Sequence, residues 1–509
     1  MSRYNLVDEQ WIPVIDLKGN RKELGILETL LNAEELATIE DPSPLVTASL
    51  HRFLLAVLYR AIEGPCDPDA TKQLFREGLP KEKIRNYLKE WHDRFWLFNE
   101  KYPFAQVPYY EPTIKNNKQK WRAWTVLAAE HNADNAKVLF DHVDIFKAGI
   151  LLPKQAVKWL LSCNTFALGG GNSDFQYVKD APSASSIMAI PIGQSLMDTL
   201  IFCLTPQNRE VMIKDVPIWE AKPESIDQLK NGIDRVASGY ADIYTWRSRS
   251  IKFDENPRLE ISKIAFASGI GYLESTISDP MVGYRLDPKL GKLPFQFKDR
   301  GFWRDFDSLL PDESGLSPTT IDNCLALTRK EQNRIPRAVI VLGQANNKAK
   351  IEFWRMEQFA LPKGFLRDHY TRSDIRTHLQ NAENVSKSLY SACAMFAQLL
   401  LSRGNRKVDK KDIKNFLTQM PILSSYWSTL ESNFHKALRD YAIDKNPDEI
   451  HHDWLIAVRE ALRGAWNLHQ TSISGSDAWA IRAFVNADKI IKNEINGLNL
   501  NINKLKEVP

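Results

Sequence analysis

From about residue 372 onward, apolar side chains recur every three or four positions along the chain. This spacing places them on one face of an α-helix and predicts amphipathic helices. Breaks at Gly404-Asn405, Asn446-Pro447 and Ser474-Gly475 divide the region into four helices, and short connections of this kind are typical of a bundle with the aromatic residues in its core. The four runs are Val385, Leu389, Ala392, Phe396, Leu399 and Leu400; Trp427, Leu430, Phe434, Leu438 and Tyr441; Trp454, Leu455, Val458, Leu462 and Trp466; and Trp479, Ala483, Phe484, Ala487 and Ile491.

The larger N-terminal part of the chain follows no single period and mixes predicted helices with predicted strands. The stretch SPLVTASLHRFLLAVLYRAI predicts a helix with Ser43 as its N-cap and Pro44 as its first residue. The stretch QWIPVIDLKGNRKELGI predicts a hairpin that turns at Lys18-Gly19-Asn20. A second helix is predicted over about residues 81–97, and short strands and turns dominate from there to the bundle.

The composition is that of a globular protein with ample core material, because 43% of the 509 residues are hydrophobic and 26% are charged. We therefore predict an α+β protein, with a large irregular mixed domain over residues 1–371 and a four-helix bundle over residues 372–509. The net charge is only +4. A protein that coats nucleic acid by charge alone would be more basic, so any such contact is expected to be local.

The sequence favours neither a membrane protein nor a disulfide-stabilised one. No uninterrupted apolar run approaches the ~18 residues that a membrane helix requires, and the start MSRYNLVDEQ lacks the apolar region of a secretory signal. Five scattered cysteines form no CxxC pair, which argues against a disulfide framework or a structural zinc site. We expect a cytoplasmic protein without a cofactor.

Three consecutive glycines, Gly169, Gly170 and Gly171, follow an apolar segment in the stretch TFALGGGNSDFQY. Glycine costs about 0.5–1 kcal/mol inside regular structure, so three together indicate a turn with positive φ or a backbone that must approach another molecule closely. The stretch has neither the Lys-Ser or Lys-Thr of a P-loop nor the spacing of a dinucleotide fingerprint. A tight surface turn and a ligand-contacting loop both remain open.

A cluster of acidic and histidine residues occupies the stretch HNADNAKVLFDHVDIF: His131, Asp134, Asp141, His142 and Asp144. Such residues hold the ions of metal-dependent nucleases and phosphohydrolases, in which the metal activates water. A complete site would need further ligands from elsewhere in the chain. A loop that caps helices or meets a partner is the alternative.

Three stretches combine basic residues with aromatic or small ones and are candidates for phosphate contact. The stretch KNNKQKWRAW places its cations beside two tryptophans. The stretch YTWRSRSIKF alternates its cations as a half-exposed strand would, and RGNRKVDKKDIK lies at a connection between bundle helices. Lysine and arginine supply the sequence-independent part of nucleic-acid binding, although each stretch alone also fits a solvated face. The candidates are Lys118, Lys120 and Arg122; Arg247 and Arg249; and Lys407, Lys410 and Lys411.

Several of these stretches occur in the same order in one known family. The chain resembles the large subunit of the type I-E CRISPR surveillance complex, Cascade. The similarity rests on NLVDEQWIPV, LFNEKYPFAQ, NAKVLFDH, FALGGGNSDF, ADIYTWRSRSIKF, DPMVGYR followed by FWRDF, and NNKAKIEFWRMEQFALP. Each motif alone is weak, but the ordered set spans nearly the whole chain.

The resemblance implies a non-catalytic subunit of a crRNA-guided antiviral ribonucleoprotein. In the family, this subunit reads the protospacer-adjacent motif of invading double-stranded DNA, begins strand separation for the R-loop, and helps to recruit a helicase-nuclease. The implied partners are the other Cascade subunits, the crRNA, the target duplex and that effector. The protein would read a short duplex motif while base pairing reads the rest.

The resemblance also implies roles for particular residues in DNA recognition. A glycine-rich loop of the family lies against the minor groove of the motif, and Gly169, Gly170 and Gly171 match it. A wedge hairpin of the family carries an Asn-Gln-Ala core, which Asn347, Lys348 and Ala349 match here, with lysine in place of glutamine. The resemblance therefore implies motif reading by Asn347 and Ala349, and a wedge at Lys348.

The family has a further loop that docks on the crRNA 5′ end and on the adjoining subunit. The resemblance places this guide-facing loop at Phe140, with His142 where the family has another polar residue. The metal-dependent nuclease or phosphohydrolase that uses Asp141, His142 and Asp144 is the alternative from a different functional class.

Overall fold

The computed structural model describes residues 2–115, 118–128, 149–171, 173–273, 277–311, 314–328, 334–347, 350–361, 369–404, 407–473, 475 and 477–506, without the side chains of residues 115, 118, 119, 369, 370 and 506. The chain forms two compact units. The first comprises Met1–Asp299 and Ser308–Gln358, and the second comprises Arg300–Asp307 and Phe359–Pro509. The second unit thus begins before residue 372 and includes a short segment from the middle of the chain.

The N-terminal unit combines ten helices, among the described residues, with small sheets. Its helices are α1 (Ile26–Leu31), α2 (Pro44–Ile62), α3 (Pro68–Glu77), α4 (Lys81–Glu90), α5 (Pro153–Phe166), α6 (Leu196–Cys203), α7 (Arg209–Lys214), α8 (Ile226–Asn231), α9 (Tyr240–Tyr244) and α10 (Thr319–Thr328). Short 3-10 helices cover His92–Arg94, Trp124–Leu127 and Phe302–Leu309, the last of which begins in the second unit.

Two- and three-stranded sheets connect these helices. The strands are β1 (Arg3–Asn5), β2 (Ile12–Asp16), β3 (Arg21–Leu24), β4 (Leu36–Ile39), β5 (Trp96–Phe98), β6 (Ile114–Lys115), β7 (Lys118–Gln119), β8 (Arg122–Ala123), β9 (Ile187–Ile192), β10 (Ile233–Arg235), β11 (Arg249–Glu255), β12 (Ile261–Ser268), β13 (Ile270–Tyr272), β14 (Tyr284–Asp287), β15 (Gly291–Pro294), β16 (Ala338–Asn347) and β17 (Lys350–Phe359). The three-stranded sheets have the orders β11-β12-β8, β17-β16-β9 and β3-β2-β4. The pair β10–β13 is parallel.

The predicted hairpin and the predicted first helix are confirmed. Strands β2 and β3 pair antiparallel around Gly19, whose φ of +87° only glycine adopts readily. Helix α2 begins at Pro44, and the Ser43 hydroxyl accepts a hydrogen bond of 3.2 Å from the Val46 N–H, as an N-cap does. This helix packs against α4, α5 and α9.

The second predicted helix is shorter than expected. Helix α4 ends at Glu90, and Trp96–Phe98 forms strand β5, which pairs antiparallel with β1. Residues 95–98 are consecutively apolar, so they fit a buried strand as well as a helix face, and pairing with β1 decides between them.

Among the described helices, α2 is long and apolar enough to cross a membrane by length and composition. However, 94% of its most apolar window is buried against the rest of the protein. Its residues Leu50, Phe53, Leu54 and Val57 have no solvent exposure. A central core helix of a folded unit accounts for this pattern without a membrane.

The C-terminal unit contains the four predicted long helices, so the predicted α+β fold with a helical bundle is confirmed. They are α11 (His369–Ser402), α13 (Ile422–Ala442), α14 (Pro447–Ser472) and α15 (Ala478–Lys506), and the short helix α12 (Lys410–Thr418) lies between the first two. Helix α14 packs against α11, α13 and α15, and α11 packs against α15. The prediction that all the aromatic residues are core is wrong for Trp479, which is 37% exposed and lies against Gly404.

Candidate nucleic-acid interface

The three glycines lie in a closed loop that follows α5, and we call residues 167–181 the glycine loop. Its two arms are joined by backbone hydrogen bonds from the Ala181 N–H to the Ala167 carbonyl (2.9 Å) and from the Gly170 N–H to the Val178 carbonyl (2.8 Å). The Val178 N–H returns a bond of 3.1 Å to the Gly171 carbonyl. The loop is therefore held by its own backbone as a narrow turn.

Two different reasons favour glycine at these three positions. At Gly169, a Cβ atom would lie 2.7 Å from the Val178 carbonyl oxygen and as close to the backbone of the two following residues. Gly170 and Gly171 have φ values of +122° and +72°, which L side chains rarely adopt. Space around the Cβ position of Gly171 is open to 4 Å, and both of these glycines are exposed. The tight turn and the approachable backbone thus occur together in one loop.

Arg249 holds the two arms of the glycine loop together. Its Nη2 donates to the Leu168 carbonyl at 2.8 Å, and its Nη1 donates to the Lys179 carbonyl at 2.9 Å and to the Ser248 carbonyl at 2.8 Å. The residue is 1% exposed. Burial lowers the pKa of Arg249, and the neighbouring Cys163 and Asp180 partly oppose this shift. Sequence reasoning missed this internal role.

The structure contradicts the predicted phosphate contacts of Arg247 and Arg249. Both side chains are buried, and Arg247 forms an ion pair with Glu224. The alternating pattern predicted a strand with one exposed face. In the structure α5 packs over this segment, and the Ser248 hydroxyl donates to the Asn164 carbonyl of α5 at 2.8 Å. Buried guanidinium groups with internal acceptors look the same in sequence as exposed ones, because the acceptors are distant in the chain.

The first basic stretch lies beside the glycine loop, and Asp174 of the loop links the two. Its carboxylate accepts hydrogen bonds from the Thr113 N–H (3.0 Å), the Thr113 hydroxyl (2.7 Å) and the Tyr110 hydroxyl (3.2 Å). Burial raises the pKa of Asp174, but these bonds and the charge of Lys120 outweigh it, so the pKa lies below its usual value. The rings of Tyr110 and Phe175 pack 4.6 Å apart. The loop and the basic stretch therefore share one surface.

Two of the three candidates in that stretch are exposed cations on this surface. Lys120 and Arg122 are both exposed, and the Arg122 guanidinium lies 5.5 Å from the centre of the Phe266 ring. The side chain of Lys118 lies outside the described part. Tyr177, on the returning arm of the glycine loop, is 60% exposed. Sequence reasoning did not single out Tyr177, although an aromatic residue beside a glycine turn is a usable signal.

The hairpin of β16 and β17 is anchored to the base of the same loop. The buried Gln344 amide donates to the Phe166 carbonyl at 2.7 Å and to the Ala184 carbonyl at 2.6 Å. Asn346 also donates to Ala184, at 2.9 Å. Asn347 is exposed at the end of β16. The structure thus places the glycine loop and the end of this hairpin on a common frame, and Lys348 and Ala349 lie outside the described residues.

The guide-facing residues Phe140 and His142, and the acidic cluster with Asp141 and Asp144, also lie outside the described residues. In the described part of the chain, no three His, Cys, Asp or Glu side chains form a group that could hold a metal ion. His51 is buried with its Nδ1 2.8 Å from the Thr47 carbonyl, and burial lowers its pKa to about 4. It is therefore a neutral core residue.

The third basic stretch belongs to the C-terminal unit. Lys407 precedes α12, and Lys410 and Lys411 lie in its first turn. All three side chains are exposed. The side chain of Asp409, the N-cap residue, makes no capping hydrogen bond. These lysines remain candidates for phosphate contact.

Comparison with known proteins gives a consistent result over nearly the whole chain. Residues 5–465 match the family model of the CRISPR-associated protein Cse1. The CRISPR-associated protein CasA/Cse1 of Thermus thermophilus is 34% identical over 479 residues, which are 91% of this chain and 91% of that protein. The solved structure of Thermus thermophilus CasA (Cse1) has a TM-score of 0.83 at 30% identity, covering 98% of this chain and 100% of that one. A chain of a CRISPR RNA-guided surveillance complex shares the fold, with a TM-score of 0.75 at 17% identity over 98% of this chain and 100% of that one.

The mixed α+β unit and the helical bundle match the solved CasA (Cse1) structure over nearly the whole chain, so the chain is of the class of large subunits of CRISPR surveillance complexes. The chain belongs to the Cse1/CasA family, the type I-E large subunit. The predicted resemblance is confirmed. The alternative of a metal-dependent nuclease or phosphohydrolase is not supported by this membership.

Proposed function

We propose that this chain recognises the protospacer-adjacent motif of double-stranded DNA by inserting the glycine loop into the minor groove. The observation that supports the proposal most directly is the exposed, backbone-held turn at Gly170 and Gly171. The minor groove is only about 6 Å wide, so a backbone without side chains can enter where a bulky residue cannot. A loop already held in one conformation loses little entropy when it binds.

The cations beside the loop supply the sequence-independent part of this binding. Lys120 and Arg122 contact phosphates that flank the motif, and the exposed Tyr177 ring lies along the same edge. Asn347 and Ala349 read the motif from the hairpin end, and Lys348 separates the first base pair beyond it. The aliphatic stem of lysine fills the gap, and its ammonium group meets a phosphate.

The subunit is non-catalytic in this proposal and acts within an assembly. Phe140 and His142 face the crRNA, Lys407, Lys410 and Lys411 contact DNA phosphates, and the assembled complex recruits a helicase-nuclease after strand separation has begun the R-loop. Base pairing with the crRNA then reads the remaining target sequence. In this proposal the complex acts in the cytoplasm, where the guide and the invading DNA meet.

The experiment that tests the proposal compares Gly171→Asp with Gly291→Asp in the reconstituted complex. Gly291 is a matched control because its φ is +76° and nothing lies within 4 Å of its Cβ position, as at Gly171. We expect Gly171→Asp to weaken binding of a motif-bearing duplex by a cost of about 1–3 kcal/mol. Binding of a single-stranded target should persist, since guide pairing supplies that energy.

The control separates recognition from folding. The two substitutions impose the same backbone strain, so they should lower the melting temperature of the free subunit by similar amounts. Unchanged duplex binding by Gly171→Asp, or equal losses for both variants on duplex and single strand, would contradict the proposal. Metal-stimulated cleavage of DNA or RNA by the purified chain would contradict its non-catalytic part.

A further inference from the structure

A small cavity of about 50 Å³ lies in the N-terminal unit, apart from the glycine loop. We call it the Arg94 cavity. Cations outnumber acids in its lining by four to two. The cations are Arg94, Lys222, Arg235 and Arg247, and the acids are Glu224 and Asp242.

Two of the four cations are neutralised within the cavity wall. Arg235 holds Asp242 through two hydrogen bonds, of 2.6 Å and 2.9 Å, and Arg247 forms an ion pair with Glu224. Arg94 and Lys222 have no carboxylate within 4 Å among the described residues. The cavity therefore carries an excess of positive charge, and an anion would balance it.

Arg94, which has no carboxylate partner, is held in a fixed orientation. Its Nη2 donates to the Ala221 carbonyl at 2.6 Å, and its guanidinium lies 4.2 Å from the centre of the Tyr102 ring. Stacking on an aromatic face leaves the N–H edge of a guanidinium available to acceptors. Arg94 is thus oriented as a donor without being satisfied by a charge partner.

Arg247 adds charge to the wall of the cavity. The residue is 4% exposed, and its Nε has no hydrogen-bond partner. This Nε is itself buried, so a ligand in the cavity cannot reach it. The cations open to a ligand are therefore Arg94 and Lys222.

We propose that the Arg94 cavity binds a phosphoryl oxyanion, with Arg94 and Lys222 as donors. The size supports this class of ligand, because one water needs about 10–15 Å³ and 50 Å³ holds the few oxygens of one phosphate. This site is independent of motif recognition by the glycine loop.

The test is a calorimetric titration of the full-length chain with inorganic phosphate in a phosphate-free, low-salt buffer. We expect measurable binding by the wild type and at least fivefold weaker binding by Lys222→Gln and Arg94→Gln. Arg85→Gln is the control, because Arg85 is an exposed cation that pairs with Glu82 on α4. Lys222 is exposed, so its replacement leaves the fold intact even where Arg94→Gln melts early. Absence of binding by the wild type, or equal affinities for Lys222→Gln and the wild type, would overturn the proposal.

The source of the phosphoryl group follows from competition with short oligonucleotides of one sequence. If the oligonucleotide with a 5′-phosphate displaces inorganic phosphate and its 5′-hydroxyl form does not, the site takes a terminal phosphate. If both displace it and Lys222→Gln weakens both, the site takes a backbone phosphodiester. If neither displaces it, the ligand is the free ion.

Discussion

Arg249 donates a hydrogen bond of 2.8 Å to the carbonyl oxygen of Leu168, and so ties the core strand β11 to the first arm of the glycine loop. A second bond of 2.9 Å to Lys179 fixes the other arm. The loop that we propose for DNA recognition is thereby held from beneath by a buried charge, and its conformation does not depend on the ligand.

Replacing Arg249 by lysine should loosen the loop. A single ammonium group on a flexible stem cannot bridge the carbonyls of Leu168 and Lys179 as a planar guanidinium does. Losing one of these hydrogen bonds to a charged donor costs about 1.5–3 kcal/mol of the free energy of unfolding, which urea denaturation measures. Duplex binding by the reconstituted complex should fall as well. Wild-type stability together with wild-type duplex binding would show that the two hydrogen bonds are dispensable.

Gly169 and Gly171 should respond differently to asparagine. Asparagine tolerates positive φ better than other residues, so Gly171→Asn should lose less than about 1 kcal/mol of unfolding free energy. Gly169→Asn should lose about 1–3 kcal/mol, because its Cβ meets the backbone of Val178 at 2.7 Å whatever the side chain. Chemical denaturation of both variants checks the order. The reverse order would mean that strain at φ, and not close packing, governs this loop.

The three lysines at the start of α12 should contribute to DNA affinity without contributing to motif choice. If Lys407, Lys410 and Lys411 all touch phosphates, replacing them with glutamine should reduce the slope of log K against log salt concentration by about 0.9 per contact. Affinities for different motifs should fall equally. A triple glutamine variant at Lys72, Lys81 and Lys154, which pair with carboxylates inside the chain, is the control. An unchanged slope would show that these lysines do not contact phosphates and only form a solvated face.

Buried histidines should make the subunit less stable in mild acid. Burial lowers the pKa of His51 to about 4, of His378 to about 3 and of His469 to about 4. The unfolded chain has the ordinary pKa of about 6.5, so between pH 6.5 and 4 it binds more protons than the folded chain. Stability is therefore fully present above about pH 6.5 and falls as the pH drops toward 4, by up to about 1.4 kcal/mol per pH unit for each histidine.

The variant His51→Asn isolates one of these contributions. Asparagine can still donate to the Thr47 carbonyl that His51 contacts, but it does not titrate. Its unfolding free energy should decline less steeply than that of the wild type between pH 6.5 and 4, as urea denaturation at several pH values would show. Parallel curves for the two proteins would mean that His51 does not take up its proton on unfolding.

Local patterns in the sequence were sufficient for several elements. The Ser43-Pro44 cap of α2, the hairpin at Gly19 and the four long helices of the bundle depend on side chains within one or two turns of each other, so periodicity and capping reveal them. The length of α4 and the strand β5 were not accessible in the same way, because the partner strand β1 lies 91 to 95 residues away along the chain, in the pairs Asn5↔Trp96 and Arg3↔Phe98.

The candidate site also combines features that are local in the sequence with features that depend on distant contacts. The three consecutive glycines pointed to the loop because glycine adopts φ values such as +72° with less strain than any other residue, and this property belongs to the residue itself. The role of Arg249 depended on carbonyl acceptors 70 and 81 residues distant in the chain, at Lys179 and Leu168. A guanidinium has the same chemistry in water and in the core, and only the tertiary structure decides which acceptors surround it. The sequence alone therefore determined where the chain turns and which faces are apolar, whereas the folded packing determined which cations face solvent and which hold the loop in place.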